Sequence, residues 1–239
     1  MPSQVPQATV IPPDRKPRLG LEEIVRAAVA IADEEGLAGV SMRRVADRLG
    51  RAVMSLYRHL KDKEELVALA ADLVFADETF PAGAAPDWRT RVRESAFRQW
   101  RCYQRHPWIA EVVSLSRPGL GPNGIREMEW AFQGLQDLSI SNAEKVRLYL
   151  VVVAFVHGVA GQMARETAEH RRSGQGADEW WKAQDNALRA VFASGDFPLV
   201  SRLAPGSGPS PESLFEFGLE CLLDGLDRQV TRGTAAPER

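Results

Sequence analysis

From Leu21 onward the apolar positions recur every three or four residues, the period of an α-helix. Leu21, Ile24, Val25, Ala28, Ile31 and Ala32 make one stripe, with Glu22 and Glu23 in the first turn and Gly36 as the stop. Ser41 predicts the N-cap of a short second helix carrying Met42, Val45, Ala46 and Leu49 and ended by Gly50. A third short helix is expected from about Ala52 to Leu60. Its Leu56 and Leu60 would face inward, with Ala52 and Val53 at the edges and Arg51, Met54 and Arg58 pointing away. In Asp62-Lys63-Glu64-Glu65 a capping aspartate stands three residues ahead of a glutamate, which starts a fourth helix expected to reach about Glu78.

The stretch Pro81–Pro86 breaks this pattern, and further helices are expected at about 87–105, 107–116, 124–137, 142–171, 178–194 and 211–230. Ser141 with Glu144 forms a capping box, and Ser210-Pro211 places an N-cap before a proline at the first helical position. Loops rich in Gly and Pro separate these segments. Leu150–Val153 is β-branched enough for a strand, but the capping box ahead and the length of the segment favour a helix. Residues 1–17 hold five prolines and no apolar period, so they read as a disordered arm. The predicted fold class is all-α.

The chain has 239 residues, 44% apolar and 26% charged, which is ordinary globular composition and enough for a substantial core. The longest unbroken apolar run, Leu148 to Val156, is too short for a spanning helix of about 20 residues. No charged start and apolar core mark a signal peptide. Cys102 and Cys221 stand far apart with no Cys/His cluster beside them, which fits a reducing cytoplasm and argues against a disulfide framework or a structural metal. A membrane partner, a metal and a cofactor are set aside. The net charge of −2 hides an uneven distribution: residues 15–63 hold 11 Lys/Arg against 7 Asp/Glu, while 64–239 hold 19 against 24. A cationic patch at one end suggests a polyanion partner, although a solvated mixed-charge helix face gives the same pattern.

Residues 41–60, SMRRVADRLGRAVMSLYRHL, have the layout of a helix-turn-helix, with Gly50 at the tight turn. Such an outer face could enter a DNA major groove. Arg58 would pair with guanine or hold a phosphate, Tyr57 and His59 would donate to phosphates, and Met54 or Val53 would meet a thymine methyl. Ser41 with Arg43, and Lys63 with the start of the fourth helix, are candidate anion contacts. The order of residues in IVRAAVAIADEEGLAGVSMRRVADRLG and SLYRHLKDKEEL, with Ala46, Gly50, Leu56, Tyr57, His59, Lys63 and Leu66 at matching spacing, resembles the N-terminal domain of TetR-family transcriptional regulators. The resemblance implies a three-helix DNA-binding head at 18–64, a helical ligand-binding and dimerisation body at 65–231 and a tail at 232–239. By position it implies DNA-facing roles for Ser41, Arg43, Ala52, Val53, Met54, Ser55, Tyr57, Arg58, His59 and Lys63, to which Arg51 adds a candidate phosphate contact. Arg51 and Ala52 depart from the family pattern, and an N-cap without a side-chain acceptor at Ala52 costs the third helix about 1 kcal/mol.

In the body, RHPWIAEV at 105–112 and FEFGLECLLDGLD at 215–227 resemble the same family more weakly. Phe215, Leu219, Leu222, Leu223 and Leu226 form an apolar face, and Gly218 with Gly225, and Gly158 with Gly161, permit close helix approach. Phe215, Gly218, Leu219, Leu222, Gly225 and Leu226, together with Gly158 and Gly161, are the expected homodimer interface. Trp100, Tyr103, Trp108, Trp130 and Phe155, with His157 and Gln162, are the candidate lining of a pocket for a small, largely apolar effector. Phe132, Tyr149, Trp180, Trp181 and His106 are further candidates, and each of these aromatics also fits plain core. The expected partners are a double-stranded DNA operator, that effector and a second copy of the chain. The chain carries no HExxH, GxSxG, P-loop or GxGxxG after a strand, so an enzyme is not expected. The alternative is a helical protein-interaction module with a vestigial helix-turn-helix.

Overall fold

The computed structural model describes residues 19–76, 80, 87–114, 121–203 and 209–235, without the side chains of 232–235. The expected arm at 1–17, the Pro81–Pro86 break, the end of the fourth helix at 77–79 and the end of the tail lie outside the described residues. Ten α-helices follow in order: α1 (Leu21–Glu35), α2 (Met42–Leu49), α3 (Val53–Leu56), α4 (Lys63–Phe75), α5 (Trp88–Arg105), α6 (Ile109–Val112), α7 (Pro122–Leu135), α8 (Asn142–Ser173), α9 (Ala177–Phe192) and α10 (Pro211–Ala235). Among the described residues there is no β-strand, and the all-α reading holds.

Local chemistry sets most of these boundaries. Gly36 leaves α1 at a φ of 78°, and Gly50 leaves α2 at 60°, conformations that cost a residue without Cβ little. The Ser41 side chain accepts from the Arg44 N–H, and Asp62 from the Glu65 N–H, so two predicted N-caps are in place. Glu65 reaches back to the Lys61 N–H, one position upstream of a regular capping box. Pro122 occupies the first turn of α7, and the Ser141–Glu144 capping box opens α8.

Two expectations are corrected. The third helix is one turn long, because after Leu56 the chain proceeds through the turns of Tyr57–His59, with His59 and Leu60 both bonding back to the Leu56 carbonyl. Its N-cap, Ala52, offers no side-chain acceptor. The segment expected at 107–116 is helical over α6 alone, and 115–120 lie outside the described residues.

α1, α2 and α3 form a small trihelical unit around Ile24, Ala28, Ile31, Val45, Ala46 and Leu56, all nearly or wholly buried. Leu21, expected in the α1 stripe, is instead 40% exposed, since it is the first residue of the helix and the buried face, which also takes in Ala27, begins at Ile24. α4 packs on α1 at one side and on α7 at the other, so it belongs to the head and to the body at once. In the body α8 lies against α5 and α10, whose Phe215, Leu219 and Leu223 are fully buried. α8 is long and apolar enough to cross a membrane by length and composition. Its apolar residues are spent on α5 and α10 along one side, with a second apolar side left on the surface.

Candidate nucleic-acid interface and ligand cavity

The head presents its polar groups unevenly. Arg44 pairs with Glu35, and Arg48 forms two hydrogen bonds, of 2.6 and 2.7 Å, with Glu34, so two of the patch's arginines tie α2 to α1. That contact raises the Arg48 pKa and lowers that of Glu34, in both cases chiefly through the shared hydrogen bond. Arg43 lies beyond this pairing: its side chain is 87% exposed and 3.8 Å from Asp47, a loose contact. Ser41, Arg43, Ala52, Met54, Tyr57, Arg58 and His59 are all exposed on the outer edge of α2, α3 and the turn after it. Arg51, Val53, Ser55 and Lys63 are half-buried at its margins. Leu56 and Leu60 point into the core, as their spacing predicts. At the candidate anion contact around Lys63, the Asp62 carboxylate accepts the Glu65 N–H and the Glu65 carboxylate accepts the Lys61 N–H.

In the body, a cavity of about 110 Å³ opens between α4, α5, α7 and α8. Phe75 comes from α4, Gln99 and Tyr103 from α5, Gly124, Glu127 and Met128 from α7, and Tyr149, Leu150, Val153 and His157 from α8, with Val113 and Ser114 at one end. The Tyr103 hydroxyl and His157 Nδ1 stand 3.4 Å apart. Burial, with Arg165 adding to it, pushes the His157 pKa below its ordinary value, so the ring is neutral at pH 7 and able to accept that proton. Burial pushes the Tyr103 and Tyr149 phenols well above theirs. Glu127 accepts from Ser95 Oγ and from Arg98 Nε, each at 2.9 Å, so this wall residue is held in a buried ion pair. Arg98 in turn lies over the Phe80 ring at 4.0 Å.

Of the seven pocket residues expected from sequence, Tyr103 and His157 line this cavity. Trp100 is stacked on Phe215 at 4.7 Å in the α5–α8–α10 core. Phe155 packs beside that same ring and against Gly218. Trp130 lies on the other side of α7, under Arg91 and against Phe80. Gln162 is exposed on the outer face of α8. Trp108 donates its indole N–H to Asp33 at 2.7 Å, and His106 Nδ1 lies 2.8 Å from the same oxygen, so both sit at the joint between α1 and the body. Of the further candidates, Tyr149 is in the wall and Phe132 packs on it, whereas Trp180 and Trp181 flank a separate notch at the α8–α9 corner. The spacing carries a signal for further wall residues: Gln99 lies one helical turn from Tyr103, Val153 one turn from His157 and Leu150 one turn before Val153.

The expected dimer face divides. Phe215 and Leu219 are fully buried inside the chain, and a Cβ at Gly218 would meet the Phe155 ring at about 2.5 Å, so these three serve intrachain packing. Gly158, Gly161 and Gly225 remain open, with Leu222 and Leu226 half-buried beside them. Val151, Leu214 and Phe217, 39%, 44% and 72% exposed, complete an apolar outer face on α8 and α10. Among the described residues no group of three or more His, Cys, Asp or Glu could hold a metal ion.

The geometry agrees with comparisons to known proteins. Residues 24–70 match the family described as bacterial regulatory proteins, tetR family, and residues 80–230 match the tetracyclin repressor-like C-terminal domain. The HTH-type transcriptional repressor DrrR1 of Streptomyces coeruleorubidus is 38% identical over 225 residues, 93% of this chain and 83% of that protein. The crystal structure of ActR from Streptomyces coelicolor in complex with (S)-DNPA superposes with a TM-score of 0.73 at 26% identity, covering 90% of this chain and all of the other. The complex of ActR with actinorhodin gives a TM-score of 0.71 at 26% identity, over 88% of this chain and 96% of that one.

Proposed function

The chain belongs to the TetR family of bacterial regulatory proteins, and from that premise we propose that it is a homodimeric, cytoplasmic repressor released from its operator by a small ligand. The observation that carries the reading is the division of labour among the head's arginines. Arg44 and Arg48 are consumed in holding α2 on α1, while Arg43, Tyr57, Arg58 and His59 are exposed to solvent. A major groove admits a helix presented with such side chains, whose cations would meet phosphates. Residues 18–64 act as the head and 65–231 as the body, with α4 shared between them.

The cavity supports the second half of the reading. Its wall is largely apolar, with Glu127, His157, two tyrosines, Gln99 and Ser114 as polar handles, the make-up of a small-molecule site. ActR has been crystallised with two small molecules, which supports a ligand in the corresponding body here. Phe75 brings the head-bearing α4 into the wall, so an occupant that favours one position of α4 shifts the heads. The relatives are regulators of transcription, and no catalytic role is assigned.

Selection of bound duplexes from a random pool, followed by a salt titration of binding to the selected sequence, tests the first half. Log affinity should fall steeply against log salt, with a slope of about −0.9 for each phosphate neutralised. A flat titration, or no enrichment, would mean that the edge serves protein contacts instead. Thermal-shift screening for ligands of the body, followed by operator-release assays, tests the second half.

A further inference from the structure

The reading edge is unusual in what it lacks. Across residues 51–60 there is no Asn, Gln, Asp or Glu, the side chains that read adenine and cytosine edges in the major groove. Ser55 is the lone hydroxyl in the α3 turn, and its Oγ donates to the Ala52 carbonyl at 2.6 Å, so its proton is already spent within the helix. What α3 holds out between Ala52 and Tyr57 is Met54, 73% exposed and the most exposed large apolar side chain of the head. Ala52 beside it is exposed and Val53 half-buried. Arg58, one turn on, is the exposed group in this stretch best shaped to engage guanine.

The chemistry of this edge therefore addresses two features of duplex DNA: the guanine edge, through Arg58, and the one apolar group in the major groove, the 5-methyl of thymine. We propose that Met54 is a specificity-determining residue that packs on a thymine methyl in each half-site, so that an A·T pair there is recognised by its methyl group and not by its adenine edge. The thioether side chain is unbranched and adaptable, and is suited to covering a methyl at the groove floor. This inference rests on the reading of the head as a DNA-binding unit and adds to it what the head reads.

The test uses the full-length chain and the duplex enriched from the random pool. Each thymine is replaced in turn by deoxyuridine, which removes the methyl and changes nothing else on the major-groove edge. For the wild-type chain, one such replacement in each half-site should weaken binding about fifteenfold, equivalent to two buried methyls at ~0.8 kcal/mol each. Met54→Ala should bind the thymine duplex more weakly and lose its sensitivity to deoxyuridine at that position alone. Met54→Leu should retain it. The proposal is overturned if every deoxyuridine duplex binds like its parent, or if Met54→Ala keeps the wild-type sensitivity. An operator that is enriched and salt-dependent yet indifferent to deoxyuridine sinks methyl reading and leaves DNA binding intact. Failure to enrich any sequence sinks both.

Discussion

Individual side chains in this chain show how similar residues take different tasks according to their neighbours. Arg58 stands exposed on the proposed reading edge, whereas Arg48 is bonded to Glu34. Arg58→Ala is expected to weaken specific operator binding by about 1–3 kcal/mol, read by anisotropy at fixed salt. Arg48→Ala should leave operator affinity close to wild type and lower the melting temperature only slightly, as the loss of an exposed ion pair does. His157 gives a second prediction at this scale. Its pKa is lowered in the folded protein, so between that lowered value and the ordinary 6.5 the unfolded chain binds more protons than the folded one. Stability carried by this residue is therefore full above pH 6.5 and declines as the pH falls through that window. His157→Gln should show a smaller drop in melting temperature between pH 7 and pH 5.5 than the parent, and an unchanged drop would count against a neutral, desolvated imidazole.

Elements were legible in the sequence to the degree that their signals are local. Gly36, Gly50, Ser41, Asp62 and the Ser141–Glu144 box act within a turn, and each marks a helix end where expected. The helical interval between Leu56 and Leu60 implies a longer α3 than the chain forms, because the chain reaches Leu60 through turns. The cavity was half-read for a different reason: whether an aromatic faces core or cavity depends on which helix lies opposite. Trp100 meets Phe215 and Trp108 meets Asp33, contacts that span more than seventy residues and that no periodicity reveals. Trp100→Ala should accordingly cost about 3–5 kcal/mol in denaturant unfolding, the price of a large core deletion, whereas Tyr103→Phe should act mainly on ligand affinity. The most informative inter-element contact is that of Asp72. From α4 it accepts the backbone N–H groups of Asn123 and Gly124, both at 3.0 Å, and the Asn123 amide at 3.0 Å, so it caps the start of α7. Gly121 permits this approach, since a Cβ there would stand 2.2 Å from the Asp72 carboxyl. α7 carries Gly124, Glu127 and Met128 into the cavity wall and α4 carries Phe75, so this cap joins the wall to the helix that bears the head. Asp72→Ala should lower stability by about 1–2 kcal/mol through the lost cap, in chemical denaturation. In operator-release titrations it should also reduce the factor by which saturating ligand weakens DNA binding.

At the scale of the molecule, the proposed dimer turns on the outer face of α8 and α10, and with it the number of heads that would meet the DNA. Val151, Leu214 and Phe217 are apolar and exposed, and Gly158, Gly161 and Gly225 have no neighbouring side chain that a Cβ would strike at less than about 3.4 Å. A face of this kind loses apolar surface to water unless another copy covers it, and glycines on it let two helices approach closely. Because the pairing would be isologous, one substitution acts twice in the assembly. Phe217→Asp therefore places two carboxylates in a desolvated interface, and in light scattering it should shift the chain from dimer toward monomer at micromolar concentration. The consequence reaches the DNA. Two heads held by one dimer can engage half-sites roughly 34–36 Å apart on the same side of the duplex, and their binding is then linked. A monomeric Phe217→Asp variant retains each head's edge but loses that linkage. Its affinity for a two-half-site operator should fall to that for a single half-site, while the salt slope per head stays the same. A variant that becomes monomeric yet binds the full operator as tightly as the parent would show that one head suffices, and that the spacing of the heads is not what a ligand in the body controls.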